Sequence, residues 1–108
     1  MVNIGRYFSG RKKKKGERRM ENYHRMEGLV RGFANHRRIQ ILYLLEKQPE
    51  LSVDDIADIL RVHFKTISAH VKRLAVAGLV MKRADARSVR HKITDRAKTV
   101  LRFLNEVQ

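Results

Sequence analysis

Residues 63–80, HFKTISAHVKRLAVAGLV, decide how the rest of the chain is read. Ile67, Val71 and Leu74 recur at i, i+4 and i+7, which is one apolar face of a helix. Lys65, Ser68, Ala69 and Lys72 fall on the other side, at about 100° of rotation per residue. That outer side is short, basic and free of acids. Gly78 stops the helix as a left-handed residue just past its end. The spacing therefore predicts a helix over residues 64–77 with one buried face and one face turned outward.

The flanking segments supply its neighbours. Ser52 with Asp55 three residues on is a capping-box pair, and Asp54 and Asp55 suit the positive end of a helix dipole. Ile56, Ala57 and Leu60 give that short helix an inward face, and RVH (61–63) is a three-residue turn into the next helix. Upstream, Asn35 caps a helix whose core side is Ile39, Ile41, Leu42, Leu44 and Leu45. It is expected to stop near Lys47, because the residue before Pro49 is pushed out of the helical region. Earlier still, Met20, Tyr23, Met26, Val30 and Phe33 recur every three or four residues, a helical pattern over 18–32. Gly28 and Gly32 each cost it about 1 kcal/mol relative to Ala. Downstream, LVMKR and SVRHKI are β-prone runs joined by ADA. With no Asn-Gly or Asp-Gly in it, the loop is expected to exceed two residues. Thr94 caps a last helix with an Ala97, Val100, Leu101, Leu104 stripe. The fold class expected is mainly α with a small β-hairpin, in the order α-α-α-α-β-β-α. That is a winged helix-turn-helix, in one domain spanning 18–108 behind a disordered basic arm, 1–17.

Composition narrows the function. The 108 residues carry 25 Lys and Arg against 11 acids, a net charge of +14. Half of the excess, +7, lies in residues 1–25 and half in residues 26–108, so the folded part is basic as well as the arm. A basic domain with a basic arm points to a polyanion, usually nucleic acid. Without cysteine there is no disulfide, zinc–thiolate site, iron–sulfur cluster or thiol nucleophile. No apolar run is long enough for a signal peptide or a membrane span, so a cytoplasmic protein without a membrane partner is expected. RKKKKGERR leaves nuclear targeting open.

The same residues resemble a known family, the ArsR-type winged helix-turn-helix transcriptional regulators. ANHRRIQILYLL (34–45) is similar to that family's second-helix signature, with Arg38 at the Arg position. DIADILRVHFKTISAHVKRLAVAGLV (55–80) resembles its DNA-binding core, with Thr66, Ile67, Ser68, Val71, Leu74, Ala77, Gly78, Leu79 and Val80 in register. ITDRAKTVL is similar to the last-helix entry of the MarR-type family, which shares the fold. Metal-sensing ArsR members place cysteines near what is here SVDDIA, or Asp and His pairs in the last helix. This chain has no cysteine, and its last helix has Asp95 but no histidine. The resemblance implies a DNA-binding homodimer, usually a repressor, without arsenic or zinc sensing. Its source would be bacterial or archaeal.

The site follows from both readings. Helix 64–77 enters the major groove, with Lys65, Ser68, Ala69 and Lys72 at base edges. Phosphate contacts are expected from Thr66 and Arg73, from Arg87 and Arg90 in a wing over 80–93, and from Lys12, Lys13, Lys14 and Lys15 in the arm. Arg83, His91 and Lys92 add positive charge to the wing. Phe64 belongs either to the core or to the groove edge. His63 stands where a capping Ser is common in the family, and imidazole caps more weakly. His70 reads as a packed or capping side chain. His24, His36 and His91 show no metal-binding spacing. Asp54, Asp55 and Asp58 read as helix-start and surface carboxylates rather than a catalytic cluster, since no nucleophile or base accompanies them. No enzyme activity, metal or cofactor is expected. Met20, Tyr23, Met26 and Val30, with Val100, Leu101 and Leu104, exceed what a small domain buries, and a two-fold dimer interface is expected there. The function expected is a sequence-specific regulator. The alternative is an architectural or RNA-binding protein with little sequence preference. No effector is indicated.

Overall fold

The computed structural model describes residues 13–108, with side chains from Met20 onward. Five helices and one hairpin follow in the expected order. They are α1 (Lys13–Phe33), α2 (His36–Lys47), α3 (Val53–Leu60), α4 (Phe64–Val76), β1 (Val80–Asp85), β2 (Ser88–Ile93) and α5 (Asp95–Val107). Helix α1 begins five residues before Arg18, so residues 13–17, expected in the arm, form its first turn. Lys12 lies outside the described residues.

Local chemistry sets the helix boundaries. Asn35 Oδ1 accepts from the backbone N–H groups of Arg37 and Arg38, at 2.9 and 3.1 Å, and starts α2. Ser52 Oγ accepts from Asp55 N at 3.1 Å while Asp55 Oδ2 accepts from Ser52 N at 3.0 Å, closing a capping box on α3. Helix α4 ends in a Schellman motif. Gly78, at φ 73°, donates to Ala75 O at 3.0 Å, and Leu79 N donates to Leu74 O at 2.9 Å. A β-carbon on Gly78 would also press on the Arg96 guanidinium.

The start of α5 locks onto this junction. Thr94 Oγ1 donates to Gly78 O at 2.7 Å, Thr94 N donates to Leu79 O at 3.1 Å, and Arg96 Nη1 donates to Ala77 O at 3.0 Å. Tyr43 Oη donates to Asn105 Oδ1 at 2.6 Å and ties α2 to the far end of α5.

The hairpin is antiparallel, with Val80 opposite Ile93 and Asp85 opposite Ser88. That register leaves a two-residue loop, Ala86–Arg87, shorter than expected. Ala86 takes the positive φ, 50°, that Asn or Gly usually supplies in such turns. Leu51 pairs with His91 as a third short strand, through Glu50 N to His91 O at 2.8 Å and His91 N to Leu51 O at 2.9 Å.

One core holds the elements together. Ile41, Leu42 and Leu45 from α2 meet Ile56 from α3, Ile67, Val71 and Leu74 from α4, and Leu79, Ile93, Ala97 and Leu101 from the hairpin and α5. Each large side chain fully buried there stabilises the fold by about 1.5–3 kcal/mol. Val100 and Leu101 belong to this core, at 8% and 1% exposure, which corrects their assignment to a dimer interface. Ala97, Val100 and Leu101 of the α5 stripe face inward, and Leu104 packs half-buried against the same core. Helix α1 is seated more lightly. Leu29 and Phe33 pack against the core's edge, and Gly32 is buried where a β-carbon would collide with Ala77 Cβ.

Candidate nucleic-acid interface

Helices α3 and α4 and the turn between them form the helix-turn-helix. Arg61 caps α3 in the left-handed region, at φ 55°, and Val62 N donates to Ala57 O at 3.1 Å, which turns the chain in two residues. His63 caps α4, its Nδ1 accepting from Lys65 N at 3.1 Å. Ile67, Val71 and Leu74 are buried, so the rotation of α4 about its axis is fixed by packing. Lys65, Thr66, Ala69, Lys72 and Arg73 are consequently exposed together, and Ser68 is half-buried among them. No carboxylate occurs on α4. Phe64 is 47% exposed and stands at the rim of this face rather than in the core.

The start of α2 lies beside the second half of α4. His70 is half-buried there, and its pKa is held below the ordinary 6.5 by burial first, then by Arg38, Arg37, Arg73 and His36. The guanidinium of Arg37 donates to Gln40 Oε1 at 2.7 Å. Arg38 Nε is buried with no hydrogen-bond partner among the described residues.

The wing divides its arginines between scaffold and surface. Arg90 Nε donates to Asp85 Oδ2 at 2.7 Å and Nη1 donates to Glu50 O at 3.0 Å. The hydrogen bond from Arg90 holds the Asp85 carboxyl below its usual range, and the same contact raises the arginine. Arg90 thus ties the loop end of the hairpin to Glu50 while its side chain stays 38% exposed. Arg83 pairs with Glu50 at 3.1 Å. His91 is 2% exposed and its Nδ1–H donates to Leu51 O at 2.8 Å, so it adds nothing to the wing's surface charge. Arg87 is exposed in the loop, with Lys82 and Lys92 exposed on the strands.

Away from this surface, Met20, Tyr23, Met26 and Val30 form an apolar stripe about half exposed along α1. Leu104 is half-buried against the core. The sequence reading passed over Phe103 and Val107 of α5, at 54% and 61% exposure. Their offset from the buried Val100 and Leu101 was the available signal. Lys13, Lys14 and Lys15 lie in the first turn of α1, with side chains outside the described set. Among the described residues no helix is long and apolar enough to cross a membrane.

Comparison with known proteins bears on the same elements. Residues 35–82, from the cap of α2 to β1, match the family model described as bacterial regulatory protein, arsR family. An uncharacterized HTH-type transcriptional regulator of Methanocaldococcus jannaschii is 29% identical over 89 residues, 82% of this chain and 100% of that protein. The structure of HlyU from Vibrio cholerae superposes with a TM-score of 0.69 at 30% identity, covering 80% of this chain and 94% of that one. The homodimeric winged helix-turn-helix DNA-binding domain of a possible ArsR-family transcriptional regulator from Mycobacterium bovis superposes with a TM-score of 0.76 at 26% identity, covering 83% of each chain.

Proposed function

The chain belongs to the arsR family of bacterial regulatory proteins, whose members are DNA-binding transcriptional regulators, and from that membership we infer a homodimeric repressor that reads one preferred duplex. The observation carrying this reading is the outer face of α4. Its packing leaves Lys65, Ser68, Ala69 and Lys72 on one acid-free surface. A B-DNA major groove admits a helix of that width. Lys65 and Lys72 donate to guanine O6 and N7, Ser68 serves either kind of partner, and Ala69 contacts a thymine methyl. Thr66, Arg73 and Arg87 take phosphates, and Lys12 to Lys15 extend the contact along the backbone.

The second copy docks on the apolar stripe of α1, Met20, Tyr23, Met26 and Val30, together with Phe103 and Val107 of α5. These side chains lie about half exposed in water, and a two-fold partner of the same composition covers them. Such a dimer holds two α4 helices about 34–36 Å apart, matching half-sites one turn of DNA apart. The chain divides into a basic arm ahead of α1 and the domain behind it.

The test is fluorescence anisotropy with the DNA upstream of the protein's own reading frame and with a scrambled duplex, over a salt series. The regulator reading expects the upstream DNA to bind about 10³-fold or more tightly at physiological salt. Equal affinities that fall together with salt would favour an architectural role, and tighter binding to RNA an RNA-binding one.

A further inference from the structure

A groove of about 870 Å³ runs between α1 and α4, on the flank of the face assigned to DNA. Its apolar lining is Leu29 and Gly32 of α1 and Ala77 at the end of α4, with the exposed Val76 and Met26 at its rim, the latter shared with the α1 stripe. Its walls are cationic. Arg25 and Arg31 come from α1, Arg38 from α2, Lys72 and Arg73 from α4, and Arg96 from α5. Among the described residues no carboxylate lines it, and Glu27 pairs with Arg31 at its edge at 3.5 Å. Two details of its lining have no role in the fold. Val76 is 84% exposed, the highest value for any large apolar side chain described. Arg38 Nε is buried and has no acceptor among the described residues.

We propose that this groove is an effector site for an amphipathic organic anion, a carboxylate or sulfonate with an apolar body. Charge complementarity selects the head group, since six cations line the groove against one acid at its edge, Glu27, which pairs with Arg31 at 3.5 Å. The apolar lining selects the body. A DNA backbone would satisfy the cations, but it has no use for Leu29, Val76 and Ala77. The strongly basic stretch ahead of Met20 in a second copy is repelled by the same six cations. An aliphatic or aromatic anion meets both halves of the lining. Lys72 and Arg73 serve the groove and the DNA-facing side of α4 alike, so ligand and duplex compete. That competition rests on the DNA reading above, whereas ligand binding itself does not.

The test uses the full chain and dansyl-undecanoate, a fluorescent fatty-acid anion, with its methyl ester as the uncharged control. The acid is expected to bind at least 10-fold more tightly than the ester. Val76→Glu puts an acid on the exposed apolar rim and should weaken the probe 10-fold or more. Gly28→Leu fills the groove from a position with nothing within 4 Å of the new β-carbon, and should weaken it similarly. Circular dichroism of both variants checks that they fold. Equal binding of acid and ester, or unchanged binding in both variants, overturns the site and places the probe on the α1 stripe. Displacement of the probe by inorganic phosphate as readily as by oleate also overturns it, leaving a simple phosphate site. In a second arm, oleate is expected to release a labelled duplex from the wild type but not from Gly28→Leu. If the probe binds as predicted and no duplex binds at all, the DNA reading fails and the ligand site stands. If both bind without competition, the effector role fails.

Discussion

Two glycines four residues apart on α1 should respond oppositely to the same substitution. Gly28→Ala adds a β-carbon with nothing within 4 Å, on an exposed turn of the helix. Only the propensity difference remains, a gain of about 0.8–1.0 kcal/mol. Gly32→Ala makes the same gain but drives its β-carbon into Ala77 Cβ. Ala77 cannot retreat easily, because its carbonyl accepts from Arg96 and the next residue is held by Thr94. Overpacking of this kind costs about 1–3 kcal/mol. The two variants should therefore differ by about 1–3 kcal/mol, with Gly32→Ala the less stable. In a domain of this size that is a separation of roughly 4–8 °C in Tm per kcal/mol. Urea and thermal unfolding at one fixed protein concentration measure it, since a dimer's Tm depends on concentration. Adding Ala77→Gly to Gly32→Ala removes the opposing atom and should recover most of the loss. The reasoning is refuted if both alanines stabilise equally, or if Gly32→Ala and Ala77→Gly act independently.

Other consequences are as direct. Asn35→Ala removes the acceptor for two backbone N–H groups and should cost about 1 kcal/mol in urea unfolding. Arg87→Ala should lower DNA affinity similarly for all sequences and reduce the salt slope by about one, whereas Lys65→Ala should relax preference at one base position, both read by anisotropy. Arg90→Ala should act through the wing's order, with amide exchange speeding up across Asp85 and Ser88 even without DNA, because its guanidinium holds Asp85 and Glu50 O. His70 titrates below its ordinary 6.5 when folded, so between the two values the unfolded chain binds more protons. Stability should accordingly fall as pH drops below 6.5 toward the lowered folded value, and His70→Gln should flatten that part of a Tm-versus-pH profile.

Most of the fold could be read from local signals. Asn35, Ser52 with Asp55, Gly78 and Thr94 each mark a helix end by hydrogen-bond chemistry that needs no tertiary context, and all four act as expected. The wing loop was misjudged because Ala86 adopts a positive φ without the usual residue type, held there by the strand register on either side. Burial was harder to assign. Val100 and Leu101 read as surplus apolar surface, yet α5 turns them into the core and leaves Phe103 and Val107 outside. A helical stripe tells which residues share a face but not which neighbour the face meets. The ties that Arg90 and His91 make were hidden for a related reason. Their partners, Glu50 O and Leu51 O, lie some forty residues away in the chain, across a bridge that no periodicity announces. The groove between α1 and α4 was invisible for the same cause, since its cations come from four separate helices.

The junction at Gly78 gives the molecule the mechanics of a caliper. Three hydrogen bonds rivet the end of α4 to the root of α5. In the proposed two-fold pair, a change of tilt at Phe103 and Val107 of α5 would be carried through this junction to α4. Over a half-span of about 17 Å, a tilt of about 5° shifts each jaw by about 1.5 Å. A small wedge near the hinge would then open or close the jaws by an amount that DNA grooves resolve. In the proposed regulator, DNA affinity would change through the gauge length while each jaw keeps its shape.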